Sequence, residues 1–388
     1  MISISKMLGD TEHYGDTLRY ARGAREQRHG AARGHGPVVV WNCIRTCNLR
    51  CRHCYTGSDG RDYEKMDTET ARAFINDLAE FHVPVLLISG GEPLLREDLP
   101  ELISHARSVG LRVTISTNGT LITAAGAAEL KKLGVSYVGI SLDGPEAVND
   151  GFRGKKGAFS AALVGLRHCQ AAGQKVGLRF TINRHNHRYI NDIFDLVEQE
   201  NIPRICFYHL VYSGRGSVMA AAEDVSHEES RAAMDAIIRR TEDFHRRGLD
   251  KEVLTVDNHA DAAYLYLRLR ERDPARAEKA LALLRANGGN RSGIAIAQVD
   301  WEGNVHPDQF TAHRLGNVRE RKFGAIWTDM SNPILAGLKD RRPLLRGRCA
   351  ACRWLDICNG NFRARAEALH GDFWAADPAC YLSDGEIL

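Results

Sequence analysis

Cys47, Cys51 and Cys54 stand in a C-x3-C-x2-C spacing within WNCIRTCNLRCRHCY (41–55), directly after the apolar run 38–40. Three thiolates on one tight loop can ligate three irons of a cubane and leave the fourth iron without a protein ligand, open to a small molecule. The same spacing also suits a zinc knuckle, with Cys43 or His53 as a fourth ligand. A second group, Cys349-x2-Cys352-x5-Cys358-x21-Cys380, offers four thiolates, enough to complete either a zinc site or a cubane. Cys43, Cys169 and Cys206 lie on or beside apolar runs and read as ordinary buried cysteines.

Polar residues with special backbone needs follow the first group. In Ser89-Gly90-Gly91-Glu92-Pro93, two glycines let a ligand approach the backbone closely, and the carboxylate can accept from an ammonium group. Ser116-Thr117-Asn118-Gly119 and Ser141-Leu142-Asp143-Gly144 each end an apolar run. Asn-Gly and Asp-Gly are turn dipeptides in any setting, so a turn and a ligand contact are both open readings there.

These groups need a scaffold, and the pattern supplies one. Short β-branched runs at 38–42, 85–89, 112–116, 137–142, 176–181 and 205–210 alternate with amphipathic stretches at 67–81, 99–109, 124–133, 159–172 and 189–200. Asp67 or Thr68 caps the first helix. Six strand-then-helix repeats imply a parallel α/β sheet with right-handed crossovers, either a complete or partial barrel or a doubly wound open sheet. Residues 1–36 form a polar N-terminal segment, ordered in part at best, and 37–212 the barrel. Over 213–290, a Gly- and Ala-rich loop precedes helical stretches at 226–246, 258–272 and 274–286, with a capping box at Ser226 and Glu229. Their Arg, Glu and Ala content predicts solvated bridging helices without chemistry. Residues 291–388 form a C-terminal region, opening on a hairpin around Trp301 and ending in the second cysteine group.

Composition narrows the partners. Lys plus Arg is 52 against 49 for Asp plus Glu, a formal charge of +3, so nothing calls for nucleic acid or a membrane surface. No run is long enough to cross a bilayer, and MISISKMLGDTEHYGDTLRY lacks a secretory pattern; a cytoplasmic protein is expected. Seven of ten cysteines sit in the two groups, which favours metal clusters over a disulfide framework.

A C-x3-C-x2-C loop after the first strand, with GGEP one strand and one helix later, resembles the signature of the radical S-adenosylmethionine (SAM) enzymes. The resemblance implies a partial (β/α)6 barrel, open on one side. It implies a 4Fe–4S cluster on Cys47, Cys51 and Cys54 that binds and reductively cleaves SAM, giving a 5′-deoxyadenosyl radical. SAM contacts are expected at Gly90, Gly91 and Glu92 for the methionine amino group. Ser116, Asn118, Ser141 and Arg179, with Thr181, are expected at its ribose or carboxylate, and His53 near the adenine. No catalytic side chain is expected beyond the cluster.

Cys349, Cys352, Cys358 and Cys380 resemble the auxiliary 4Fe–4S site of SPASM and twitch radical SAM enzymes. A full SPASM pattern has seven cysteines, so the four here limit this chain to one auxiliary cluster. The stretches RGRCAACRWLDICNGNFRARA, GDFWAADPACYLSDGEI, VDWEGNVHPDQF and LGNVRERKFGAIW resemble NirJ-type radical SAM enzymes of heme d1 biosynthesis and the related AhbC type of the alternative heme pathway. That likeness implies a tetrapyrrole substrate, 12,18-didecarboxysiroheme, losing propionate groups in the NirJ type or having acetates reduced to methyls in the AhbC type. It implies an external electron donor such as a flavodoxin or ferredoxin. Arg215, His209 and His306 are candidates for the substrate's carboxylates and iron, though each also suits a structural role. Two other readings stand beside this one: a radical SAM peptide maturase, and a non-catalytic iron–sulfur electron carrier, which has no need of GGEP.

Overall fold

The computed structural model of the protein describes residues 1–21, 23 and 26–388, with backbone alone over 219–222. Its centre is an 11-stranded sheet, ordered β1-β8-β7-β6-β5-β4-β3-β2-β9-β10-β11. The strands are β1 Ile2–Ser3, β2 Val38–Ile44, β3 Val85–Gly90, β4 Arg112–Thr117, β5 Tyr137–Ser141, β6 Val176–Ile182, β7 Arg204–His209, β8 Glu252–Val256, β9 Ile296–Val299, β10 Asn304–His306 and β11 Gly316–Asn317. Neighbours from β2 to β8 pair in parallel, as the six predicted strands require. The crossovers carry the helices Thr68–Glu80, Leu99–Ser108, Ala124–Lys132, Ala158–Ala171 and Ile190–Gln199, whose apolar faces cover the sheet. Asp67 caps the first, its carboxylate accepting from Thr70 N at 2.7 Å.

β2, β3, β6 and β7 are buried along most of their length, so they read as near-continuous apolar runs, while β4 alternates buried and half-buried residues. The sheet order does not close on itself, and the C-terminal ends of β3 through β8 all reach one cavity. Six strands laid flat at about 4.8 Å spacing would spread too far for that, so the sheet is curved, an open partial barrel.

Four features depart from the sequence reading. First, the run Glu252–Val256, placed in the bridging region, is a seventh parallel barrel strand, reached through the long helix His227–Arg246. Second, the N-terminus is not loosely held: β1 pairs antiparallel with β8, and Ile2, Ile4 and Met7 are fully buried. The part of that expectation falling on residues 22, 24 and 25 lies outside the described residues. Third, Ala260–Arg272 is buried almost all round rather than solvated, because Pro274–Asn287 covers one side and Trp354 and Tyr381 pack on Tyr266 and Tyr264. Fourth, Gly216–Glu223 is a helix instead of a loop. The capping box at Ser226 forms as expected. The hairpin of β9 and β10 forms too, and β9 also pairs in parallel with β2, joining the C-terminal region to the barrel sheet.

Candidate active site and cluster loop

The cysteine loop leaves β2 through a register break between Asn42 and Ile44. It is then gripped by the end of β3: Gly91 N donates to Ile44 O at 2.7 Å and Glu92 N to Thr46 O at 3.0 Å. A Cβ on Gly90 would lie 2.2 Å from Ile44 O, and one on Gly91 2.2 Å from Thr46 O, so this approach admits only glycine. Gly90 and Gly91 line the cavity; Glu92 does not. Its wholly buried carboxylate accepts from Leu94 N at 3.1 Å, Thr117 Oγ1 at 2.7 Å and Asn118 N at 2.9 Å, tying the ends of β3 and β4 together. Burial raises its pKa, against those three donors.

The other side of the loop rests on a helix that the sequence reading missed, Glu146–Arg153. Arg50 N donates to Arg153 O at 3.2 Å and Arg52 N to Phe152 O at 3.0 Å. The Arg153 side chain, nearly buried, reaches Cys51 Sγ at 3.5 Å and Asp143 Oδ2 at 2.5 Å. Asp143 in turn accepts from Thr181 N at 2.9 Å, so this carboxylate is structural. Arg215, a candidate for substrate carboxylates, is fastened to the loop instead. Its Nε donates to Cys51 O and its Nη2 to Ser58 O, both at 2.8 Å, while its N–H donates to Cys54 O at 2.9 Å. Asn118 Nδ2 donates to Asn48 Oδ1 at 2.8 Å and lies 3.9 Å from Cys47 Sγ. Burial pushes the Cys47 thiol up to about 12 and raises that of Cys51, where Arg153 opposes the rise. Metal ligation at this loop must therefore displace protons.

The cavity enclosed by these pieces measures about 1010 Å³, counting the solvent at its mouth. Its lining carries the three cysteines and the small polar strand ends Ser89, Gly90, Gly91, Ser116, Asn118 and Ser141. The same lining also carries Arg179, Thr181, Tyr208, His209, Asp257 and Phe310 from β6, β7, the end of β8 and a C-terminal loop, with Phe310 5.4 Å from the Tyr55 ring of the cysteine loop. Barrel enzymes place their chemistry at this C-terminal rim. Arg179 lies over the Tyr208 ring at 4.7 Å, and its charge opposes the rise of the Asp257 pKa without a direct ion pair among the described residues. Asp257, at φ +69°, is buried, and burial raises its pKa to about 6. His53 lines the cavity stacked on Phe152 at 4.7 Å; burial lowers its pKa to about 4.

His209 donates to, or accepts from, Asp261 through Nε2 at 3.0 Å. His306 is elsewhere: its rings atoms face His313 O at 3.2 Å and Asp300 at 3.5 Å. Arg153, Tyr208, Asp257 and Phe310 were not singled out by sequence. Only Asp257 carried a signal, a polar Asp-Asn-His directly after the apolar run that forms β8.

Cys349, Cys352, Cys358 and Cys380 all line a second cavity of about 440 Å³, walled by Trp354, Leu355, Leu382 and Ile387. Burial pushes the Cys380 thiol up to about 11 and raises Cys358 further, with the other three cysteines adding to the latter. Mutual influence of this kind places the four thiols around one space. No three His, Cys, Asp or Glu side chains among the described residues converge on a single ion position. A cubane takes one thiolate per iron, spread over its corners, so both cysteine sets fit a cluster ringed by its ligands.

Comparison with known proteins agrees with this geometry. Residues 41–197 match the radical SAM superfamily. The chain is 55% identical over 395 residues to Fe-coproporphyrin III synthase of Methanosarcina barkeri, spanning 100% of this chain and 99% of the relative. It is 43% identical over 354 residues to pre-heme d1 synthase of Dinoroseobacter shibae, spanning 90% and 87%. Among solved structures, SuiB of Streptococcus suis bound to its precursor peptide SuiA superposes with a TM-score of 0.71 at 17% identity, over 89% of this chain and 76% of that one. The anSMEcpe enzyme with bound AdoMet gives 0.69 at 18% identity, over 89% and 94%. The chain thus belongs to the radical SAM superfamily and is a radical SAM enzyme, its cofactors a 4Fe–4S cluster and S-adenosylmethionine.

Proposed function

We propose that this enzyme works in heme biosynthesis on an iron tetrapyrrole, removing the acetate side chains of 12,18-didecarboxysiroheme from ring carbons that keep their methyl groups and so yielding Fe-coproporphyrin III. The observation that carries this reading is the 55% identity to Fe-coproporphyrin III synthase along the entire chain. It moves the heme d1 reading, propionate removal, to second place, where the 43% identity to pre-heme d1 synthase keeps it. The peptide-maturase reading comes third, on 29% identity to mycofactocin maturase MftC of Mycobacterium ulcerans over 89% of this chain and on likeness in fold to SuiB at 17% identity.

The lining of the cavity suits the two molecules this reading requires. When bound, the cluster and SAM supply a reductively triggered abstraction of hydrogen from an unactivated carbon. Cys47, Cys51 and Cys54 would hold the cluster, and the small strand ends Gly90, Gly91, Ser116 and Ser141 would give SAM access to the backbone, with Asn118 beside Cys47. Arg179 is the cation left to pair with a substrate carboxylate, since Arg153 is committed to Asp143 and Arg215 to the loop backbone. Tyr55, Tyr208 and Phe310 offer aromatic surface to a flat macrocycle. The second cysteine group would hold one auxiliary 4Fe–4S cluster, and a flavodoxin or ferredoxin would deliver electrons.

Anaerobic incubation of reconstituted enzyme with 12,18-didecarboxysiroheme, SAM and dithionite, followed by mass analysis, tests the proposal. Loss of both carbons of each acetate group, giving Fe-coproporphyrin III, is the expected result. Loss of the propionates instead would assign the heme d1 reaction, and an unchanged tetrapyrrole with 5′-deoxyadenosine formed would remove both.

A further inference from the structure

Resting on the tetrapyrrole reading, we propose that His209 ligates the substrate's iron through Nδ1, with Asp261 and Tyr381 as the residues that orient it. His209 ends β7 and lines the cavity together with Arg179 and Asp257, on a strand separated from β2 by β3 to β6 in the sheet. Its Nε2 is 3.0 Å from Asp261 Oδ2, and Asp261, with no exposure at all, takes the Tyr381 hydroxyl on Oδ1 at 2.7 Å. A carboxylate fixed in this way accepts the Nε2 proton, sets the tautomer and leaves the Nδ1 lone pair free. Nδ1 has no hydrogen-bond partner among the described residues and is not one of the sealed, unpartnered polar atoms, which leaves it surface on the cavity that His209 lines. A histidine whose far nitrogen is held by a buried carboxylate is the arrangement that metal-ligating imidazoles adopt.

The other histidines near the site do not offer this. His53 Nδ1 is sealed from solvent without a partner, and its Nε2 faces Asp143 at 3.9 Å. His306 has both nitrogens engaged, and His259 Nδ1 is also sealed. The Tyr381 contact has a further consequence. Tyr381 follows Cys380 in the chain, so the ring that would meet the substrate iron is oriented by the segment carrying a second-group cysteine.

The test is a titration of holoenzyme with Fe-coproporphyrin III and, in parallel, with metal-free coproporphyrin III, read by optical absorption and by electron paramagnetic resonance of the ferric form. Wild type is expected to show imidazole-ligated iron. His209→Ala is expected to lose that signature, bind the iron form about tenfold or more weakly, bind the metal-free form as wild type does, and regain the signature on adding imidazole. Asp261→Asn should weaken the iron form alone by about tenfold. His209→Gln, which keeps a donor to Asp261, replaces the alanine variant if that one does not fold. An unchanged iron signature in either His209 variant, or an equal loss for both porphyrins, overturns the assignment of His209 while leaving the tetrapyrrole reading intact. Failure of both porphyrins to bind wild type overturns the two together.

Discussion

Arg153 sits between the cluster loop and the barrel, its guanidinium 3.5 Å from Cys51 Sγ and 2.5 Å from Asp143 Oδ2. Both partners are buried, so the arginine neutralises an aspartate that has no access to water and also favours the thiolate of Cys51. Arg153→Ala leaves Asp143 uncompensated, and breaking a buried pair in this way costs roughly 3–5 kcal/mol. Expected outcomes are a lower melting temperature for the apoprotein and less iron retained per chain. Arg153→Lys should recover part of the stability and little of the iron, because an ammonium group cannot address sulfur and carboxylate in one plane. Iron assay and thermal unfolding on the same preparations check this.

Gly91→Ala is expected to damage the same loop from its opposite side. The added methyl meets Thr46 O and Arg45 O, both backbone atoms that can move only by shifting the loop segment leading to Cys47. The cost is about 1–3 kcal/mol. Reconstituted iron should fall while the second cluster site is spared, which Mössbauer spectroscopy on paired single-site variants resolves.

Arg179→Met removes the unpaired cavity cation without removing the bulk over Tyr208. Binding of Fe-coproporphyrin III should weaken about tenfold to a hundredfold, as expected for losing a hydrogen-bonded charge pair of roughly 1.5–3 kcal/mol. The substitution should also raise the Asp257 pKa further, because Arg179 is one of the cations that oppose its rise. A loss of stability with unchanged affinity would place Arg179 in the scaffold.

Asp257 supplies a pH dependence. In the folded protein burial raises its pKa from 3.8 to about 6, so between those values the folded state holds a proton that the unfolded state has released. Stability therefore falls as pH rises through that window, by about 3 kcal/mol at most, and stays low above it. Asp257→Asn should raise the melting temperature of the apoprotein at pH 8 and leave it nearly unchanged at pH 4. Equal effects at the two values would contradict the buried-carboxyl account.

The second cysteine group separates iron from zinc directly. Replacing Cys349, Cys352, Cys358 and Cys380 by alanine should remove about four irons per chain from anaerobically reconstituted protein, with no zinc lost from protein purified without added iron. Retained iron with lost zinc would assign a structural zinc.

Much of this site was legible because its chemistry is short-range in sequence. Cysteine spacing, the Gly-Gly pair and strand ends are local patterns, and the parallel repeat that positions them is a period of apolar runs. What escaped depends on distant chain segments. Arg153 is an unremarked arginine until its short helix docks on the loop, and Arg215 reads as solvated until Gly214 brings it against Tyr55 O. Glu92 matched a ligand-binding motif, yet its carboxylate turns inward to Thr117 and Asn118, a direction no spacing reveals. The Ala260–Arg272 helix looked solvated because its charges mask a surface that the C-terminal region covers from about a hundred residues away. The run that became β8 was short, charged at its start and isolated from the regular repeat.

The central claim is that the loop of Cys47, Cys51 and Cys54 carries a cluster with one iron free for SAM. The most direct measurement uses Cys349→Ala/Cys358→Ala protein, so that one cluster remains, reduced with dithionite and examined by electron paramagnetic resonance before and after SAM is added. A change in the reduced-cluster spectrum on adding SAM, abolished in protein that also carries Cys51→Ala, is the expected result. An identical spectrum with and without SAM would contradict the account.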